Sequence, residues 1–349
     1  MEAMRLFIHP TEQERFVPIE ETKKNYNGID LVKFVCAIMV FIIHIPPFQG
    51  EISGAAEIVN YGLQHYLCRL AVPFYFISSG FFLFKRMPLY SPDQGRIRAY
   101  CYKILRLLGI WHVLLWIGDK GHLWYLGATV IAVILVSLCF HFRIRLGYIC
   151  ALAGVLYVIG LLGDSYYGVI APLENIAIGK LLIKGYMYMF KTTRNGVFMG
   201  FIYVLIGAVL SNCKIRFKTG TSVIGLAVSM LFLFAEVFLL RHYHIPIENN
   251  MYVFLLPASF FLFSLAVSVE LKDRPIYAHL RSIGMMIYFI HLLVNALILL
   301  AIGIVDRYFG TALGRYTFIF TLLFTVLIAI FADLLSYKKK FHWINWLIS

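Results

Sequence analysis

The chain has 349 residues and a formal net charge of +13, yet only 14% of its residues are charged and 61% are apolar or aromatic. Soluble domains are roughly half apolar and a quarter charged, so this composition and a mean hydropathy of +0.80 exclude an ordinary soluble protein. Long apolar stretches, rather than short alternating ones, favour an all-α integral membrane protein over a β-barrel.

Ten apolar windows follow one another along the chain, each close to the roughly 20 residues that a bilayer requires. They lie at 31–48, 66–84, 104–118, 123–140, 146–163, 197–211, 222–240, 252–270, 283–303 and 316–336. We therefore predict about ten transmembrane helices in one domain, residues 29–336. Residues 1–28 lack an apolar signal-peptide region and are predicted to be a cytoplasmic lead-in, and residues 337–349 a cytoplasmic tail.

The distribution of basic residues tests this topology. With the N-terminus inside, 21 lysines and arginines lie in cytoplasmic segments and 8 in outer segments, while Lys33 and Arg69 lie within helices. Because basic loops stay on the cytoplasmic side, the bias supports both termini in the cytoplasm. The net positive charge is thus explained by the orientation of the protein in the membrane, and we reject nucleic-acid binding. The longest outer loop, 164–195, contains "ENIAIGKLLIKGYMYMF", which is compatible with an amphipathic helix at the membrane surface.

The first helix contains two ionisable residues, which are rare within membranes and indicate function by default. Lys33 and His44 are eleven positions apart, which places them within roughly 20° on one helix face and about 16 Å apart along its axis. Pro46 and Pro47 then end the helix. The structural alternatives are a lysine that extends to the inner headgroups and a neutral imidazole at a helix end.

Other polar residues occur on later helices. Arg69 lies in the second, His122 and Trp124 begin the fourth, and Tyr288 and His291 lie in the ninth. Taken one at a time, each has a structural explanation. Arg69 would contact lipid headgroups, His122 and Trp124 would belong to an aromatic belt at the membrane surface, and His291 would make a structural hydrogen bond. Together, however, two histidines and an arginine on three helices favour a shared polar cavity, because exposure of any of these polar side chains to lipid costs free energy.

Five segments in order resemble the acyltransferase family 3 membrane proteins over residues 26–336: "IDLVKFVCAIMVFIIH", "RLAVPFYFISSGFF", "HLWYL", "TRNGVFMGFIYVLIGAVL" and "IGMMIYFIH". The family includes O-acetyltransferases of cell-wall and surface polysaccharides and the membrane half of glycopeptide-resistance serine racemases. This chain looks like a stand-alone member, with no racemase or hydrolase-like domain expected after the tenth helix. The resemblance implies a multi-pass protein of a bacterial cell membrane.

The resemblance also implies roles for named residues. His44 matches the catalytic histidine, and Lys33 stands where the family usually has arginine, which keeps the charge but loses the planar guanidinium fork. A neutral imidazole, with an intrinsic pKa of about 6.5, suits a general base near pH 7. Stabilisation of the oxyanion is expected from Arg69, Tyr288 or His291, and His122 and Trp124 are expected on the acceptor side.

The donor implied by the resemblance is cytoplasmic acyl-CoA, acetyl-CoA by family frequency, used as a co-substrate rather than a bound cofactor. Its phosphates are expected on basic residues near the inner side, namely Lys33, Arg98, Lys103 and Arg106. The acceptor is expected to be a hydroxyl of an envelope glycan or a lipid-linked precursor, with membrane lipids as further partners. Direct transfer and an acyl-histidine route both remain open.

A different class of function also fits the sequence. A transporter or flippase for a small polar or glycan-precursor solute would have many helices with buried charges, and Glu236 with the histidines would relay protons. A third reading is an inert partner subunit of a glycan-synthesis complex. There is no phosphate-binding loop, G-x-S-x-G or H-E-x-x-H motif, and no metal site is predicted, since His242 and His244 form only an isolated pair.

Overall fold

The computed structural model describes residues 25–49, 53–85, 87–116, 121–190, 192–212, 217–310 and 312–348, and within these ranges the secondary structure is helical, with no strand. This confirms the all-α class. Residues 1–24 of the predicted lead-in lie outside the described ranges, as do Arg86, Lys120, Lys191, Lys214 and Arg216 of the loop-charge argument. The cytoplasmic placement of the termini therefore stays a prediction.

Helices follow one another through the described ranges with short connections. They are α1 (Asn27–His44), α2 (Ala55–Phe84), α3 (Gln94–Leu114), α4 (Gly121–His141), α5 (Leu146–Leu162), α6 (Tyr167–Asn175), α7 (Ala177–Phe190), α8 (Gly196–Asn212), α9 (Thr219–His242), α10 (Leu255–Ser268), α11 (Ile276–Phe309), α12 (Leu313–Ser336) and α13 (Asn345–Ile348). A π-helical turn, Leu63–Leu67, interrupts α2.

Six of the described helices are long and apolar enough to cross a membrane: α1, α2, α4, α9, α11 and α12. The number rises to seven if α5 and α6, bent by 81° at a short break, form one span. Every predicted window overlaps a helix, but the count of ten spans is not confirmed. The helices α8 and α10 have fewer than 18 residues, and the first half of α3 holds three basic residues.

The chain divides into two compact units. The first unit contains residues 73–104 and 125–268, and the second contains residues 25–72, 105–124 and 269–349. In the first unit α9 packs along α10. Here α2 and α8 also approach so closely that a Cβ atom added to Gly80 would overlap the Val204 carbonyl, and one added to Gly207 the Ile77 carbonyl. Glycine on both helices thus permits backbone contact.

The second unit is built around α11, which packs along α1 on one side and α12 on the other. Trp111 of α3 stacks on Phe289 of α11, with ring centroids 4.5 Å apart and planes inclined by 4°. An added Cβ on Gly284 of α11 would lie 3.4 Å from the Cα atom of Phe34 in α1, so these two helices are also closely packed. This packing fixes the relative positions of α1 and α11, which carry His44 and His291.

Candidate active site

The position of His44 follows from the two prolines after it. α1 ends at His44, and Ile45 leaves the helical conformation (φ −130°, ψ 89°), as expected for a residue before proline. Pro46 and Pro47 have no N–H, so the carbonyls of Ile42 and Ile43 lose their usual partners four residues later. His44 is therefore the last helical side chain, at a point where the backbone needs outside donors.

The second unit supplies such a donor from α2. The Gln64 side-chain amide donates to the Ile43 carbonyl oxygen at 2.8 Å. Asn60 holds the following turn, because its amide donates to the Phe48 carbonyl (2.7 Å) and its Oδ1 accepts from the Phe48 N–H (3.3 Å). Two amide side chains one turn apart on α2 thus fix the backbone on both sides of the double proline.

Three imidazole rings from separate helices lie together in the second unit. The ring centroids are 5.3 Å apart for His44 and His291, 5.0 Å for His122 and His291, and 6.3 Å for His44 and His122. His122 and His291 are 1% and 0% exposed, whereas His44 is half-buried. We call these three residues the histidine cluster. His44 is the most exposed member of the cluster.

Tyr288 and the backbone of α11 orient the cluster. The Tyr288 hydroxyl donates to the His122 backbone carbonyl at 2.7 Å, and its ring lies 5.4 Å from the His122 ring. Nδ1 of His291 lies 3.1 Å and 2.9 Å from the carbonyl oxygens of Ile287 and Tyr288. Carbonyls only accept, so Nδ1 carries the proton. The neutral ring then presents Nε2 as an acceptor, and no group in the described ranges hydrogen-bonds to it.

Arg69 has a partner that the sequence did not suggest. Its Nη2 donates to Nδ1 of His65 at 3.0 Å, one turn away along α2, and the His65 ring lies 4.6 Å from that of Tyr61. His65 lies in the π-helical turn and Arg69 lies two residues after it, and their spacing of four places the two side chains on one face of the helix. The segment Cys68–Leu70, which includes Arg69, packs against α1. Such turns occur often at functional sites but leave no mark in composition.

The residues expected to bind acyl-CoA phosphates are distributed over both units. Lys33 is half-buried on α1 in the second unit. Arg106, also in the second unit, places its guanidinium over the Trp346 ring at 5.1 Å. Arg98 and Lys103 are exposed on the part of α3 that belongs to the first unit. Trp124, expected on the acceptor side, is half-buried in the first turns of α4.

Two ion pairs in the second unit join α11 to its neighbours, and the sequence pattern does not predict either of them. The His279 ring on α11 lies 2.6 Å from the buried Asp333 carboxylate on α12. Arg281 on α11 lies 3.5 Å from Asp30 on α1. In the described ranges no group of three or more His, Cys, Asp or Glu side chains has the arrangement of a metal site.

Comparison with known proteins covers much of the chain. Residues 26–118, which include His44 and Arg69, match the acyltransferase domain family Acyl_transf_3. Two amino-acid racemases of Enterococcus faecalis are similar, one 29% identical over 277 residues (72% of this chain, 37% of the relative) and one 27% identical over 309 residues (79% and 42%). A serine/alanine racemase of Enterococcus gallinarum is 26% identical over 298 residues (76% and 40%).

These relatives are much longer proteins, and the chain spans about two fifths of their length. No solved structure matches the chain significantly. The matched segment contains the first of the quoted motifs with its histidine, and the relatives extend the similarity over about three quarters of the chain. The chain is therefore similar to the acyltransferase domain family over residues 26–118, the segment that holds the first two of its motifs.

Proposed function

We propose that the protein is a membrane O-acyltransferase that moves an acyl group, acetyl by family frequency, from cytoplasmic acyl-CoA to a hydroxyl of an envelope glycan or lipid-linked precursor. The observation that carries the proposal is the histidine cluster at the end of α1, in a chain with an acyltransferase domain. The location proposed is the cell membrane of a bacterium.

In this mechanism His44 is the general base. It takes the proton of the acceptor hydroxyl while that oxygen attacks the thioester carbonyl carbon of acyl-CoA. The tetrahedral intermediate then collapses, the C–S bond breaks, and the CoA thiolate leaves and is protonated by the His44 imidazolium. The partial exposure of His44, beside two buried histidines, supports its choice as the ring that contacts the substrate.

The hydrogen bonds refine the roles of its neighbours. Neutral His291 has its proton on Nδ1, bound to carbonyls, so its Nε2 is suited to accept a hydrogen bond from His44 rather than to stabilise an oxyanion. The Tyr288 hydroxyl proton is directed at the His122 carbonyl. We therefore assign orientation of the cluster to Tyr288 and His291, and oxyanion stabilisation to Arg69. His122 and Trp124 stay on the proposed acceptor side.

The phosphates of acyl-CoA are proposed to bind Lys33, Arg98, Lys103 and Arg106. The exposure of Arg98 and Lys103 suits contact with a charged ligand from the aqueous phase. The racemase activity in the names of the relatives is not carried over, because this chain spans only about two fifths of those proteins.

The test is the acylation of envelope glycans, measured by mass spectrometry in cells with and without the protein and with its variants. His44→Ala is expected to remove the modification, since loss of a general base costs about 10²- to 10⁴-fold in rate. His112→Ala is the matched control, because His112 is exposed on α3 and bonds only to its own helix. Normal acylation by a correctly folded His44→Ala variant would refute the proposal.

A transporter or flippase is the alternative, and the structure bears on its proposed proton carrier. The Glu236 carboxylate accepts hydrogen bonds from the N–H groups of Val253 (2.6 Å) and Phe254 (2.9 Å) and from the Tyr166 hydroxyl (2.7 Å). This arrangement holds the backbone before α10 and supports a structural role. Purified protein that neither binds nor cleaves acyl-CoA, with solute uptake that depends on the protein, would favour transport.

A further inference from the structure

The segment between α5 and α8 belongs to the first unit, and it begins and ends at one place there. An added Cβ on Gly163, just after α5, would meet the side chains of Thr193 and Tyr186. The Asp164 carboxylate accepts from the Asn250 N–H (2.7 Å), the Asn250 side chain (2.9 Å) and the Met251 N–H (3.0 Å). Both ends of the segment are thus anchored near the end of α5, and α7 lies between them.

This geometry excludes a membrane crossing by α7. The helix has 14 residues, so it is about 21 Å long, whereas the hydrocarbon core of a bilayer is about 30 Å thick. Because the segment starts and ends at one place, it also cannot contain a single crossing that takes the chain to the opposite surface. The 81° bend between α5 and α6 turns the chain away from the direction of α5 before α7 begins.

Successive residues of an α-helix are 100° apart around its axis. On this spacing the side chains of α7 fall into three sectors around the helix. One sector packs on the first unit: Ile183 is 8% exposed, and the Phe190 and Tyr186 rings lie 4.8 Å and 5.9 Å from Phe198. A second sector is apolar and exposed. It consists of Ile178 (71% exposed), Leu181 (73%), Leu182 (67%), Tyr188 (88%) and Met189 (72%).

The third sector, between the other two, is basic. Lys180 and Lys184 are one turn apart and both are exposed. An apolar sector with lysines along its edge is the pattern of a helix that lies in the membrane interface, with its apolar side toward the acyl chains and its lysines at the headgroups. Each lysine at such a surface attracts anionic lipid.

We infer that α7 is a membrane-surface anchor that lies flat in the headgroup layer of one leaflet and binds the phosphates of anionic lipids through Lys180 and Lys184. The occupant of its apolar sector is the acyl-chain boundary of that leaflet. The distribution of basic residues over the loops predicts that this surface is the outer one. The inference concerns lipid binding and is independent of the proposed acyl transfer.

The first test measures depth by nitroxide labelling of the full chain, on a cysteine-free background, in nanodiscs of phosphatidylcholine with a minority of phosphatidylglycerol. Labels at Leu182→Cys and Met189→Cys are expected at the headgroup boundary. The measured quantity is the ratio of the collision rates of each label with oxygen and with a nickel chelate, which rises with depth in the membrane. This ratio should lie between the values for two reference labels. These are Leu231→Cys, exposed on the membrane-spanning α9, and Arg274→Cys, in a polar loop. Values equal to either reference would overturn the inference, as would spin–spin broadening from a second copy.

The second test addresses the lysines by native mass spectrometry of protein released from the same nanodiscs. Lys180→Gln/Lys184→Gln is expected to retain less phosphatidylglycerol, with roughly fivefold weaker retention per lysine lost. Lys218→Gln, exposed just before α9, is the matched control and should retain as much as wild type. Equal retention by the double variant and wild type would overturn the assignment of the phosphate contacts.

Discussion

Lys33 has a single charge on a half-buried side chain eleven residues before His44. If it binds a phosphate of acyl-CoA, its removal should raise KM for acyl-CoA without changing kcat. A hydrogen bond to a charged group contributes about 1.5–3 kcal/mol, so Lys33→Gln is expected to raise KM about 10- to 100-fold. Lys33→Arg, which restores the fork of the family pattern, should bind acyl-CoA at least as well as wild type.

The measurement is the steady-state rate of acyl transfer as a function of acyl-CoA concentration, in detergent or nanodiscs. Lys218→Gln is the control for loss of a lysine charge elsewhere on the chain. An unchanged KM in Lys33→Gln would show that Lys33 only extends to the headgroups. Residue-scale roles of this kind follow from the family motif. The Arg69–His65 contact does not, because a spacing of four residues permits a contact without showing that it forms.

At the scale of the element, the end of α1 depends on Gln64. Its amide satisfies the Ile43 carbonyl that Pro47 leaves without a partner, so Gln64→Leu leaves a carbonyl unpaired beside His44. The expected cost is about 1–3 kcal/mol of stability. We also expect a lower kcat with little change in KM, because Gln64 positions His44 rather than binding substrate.

Thermal unfolding and steady-state kinetics of purified Gln64→Leu check this prediction. Gln94→Leu, at the exposed first residue of α3, is the control for the same change in composition. A variant with wild-type kcat and stability would mean that another donor, such as water, satisfies Ile43 equally well.

The contact between α2 and α8 gives a second prediction at this scale. A methyl group at Gly80 or Gly207 would overlap backbone of the opposite helix, which cannot move as a flexible side chain does. Gly80→Ala and Gly207→Ala are each expected to lower stability by about 1–3 kcal/mol, the usual cost of overpacking. Gly154→Ala on α5, where an added Cβ meets nothing within 4 Å, should be neutral or stabilising.

Midpoints of thermal unfolding for the three glycine variants in one detergent provide the comparison. Equal midpoints for Gly80→Ala and Gly154→Ala would show that the two helices separate easily. The sequence offers only "SSGFF" and "LIGAVL" as hints of this contact, since glycine in an apolar helix does not identify its partner.

At the scale of the whole molecule, the number of spans determines which side each terminus occupies. Six spans or ten place both termini on one side, whereas seven place them on opposite sides. The excess of lysine and arginine in alternate loops predicts both termini in the cytoplasm. A C-terminal green fluorescent protein is therefore expected to fluoresce and a C-terminal alkaline phosphatase to be inactive.

A phosphatase fused after residue 191, in the predicted outer loop, should be active and serves as the control. Activity of the C-terminal phosphatase, with an N-terminal tag accessible only from the cytoplasm, would favour seven spans. Hydropathy predicted where helices lie but not how many cross, because α8 and α10 are apolar yet short and the start of α3 is basic. The sequence predicted a cavity shared by two histidines and an arginine, but not that His44, His122 and His291 would form one cluster, since no single-sequence pattern specifies which helices are neighbours.

The length of α11 sets the distance of the His291 imidazole from either end of the helix. The helix has 34 residues, and His291 lies 15 residues after its start and 18 before its end. At 1.5 Å per residue these distances are about 22 Å and 27 Å, so the imidazole is nearly equidistant from the two ends of a rod longer than the roughly 30 Å hydrocarbon layer. In the proposed acyl transfer, both reactants would therefore have to extend a reactive group well past the end of α11 to reach the histidine cluster.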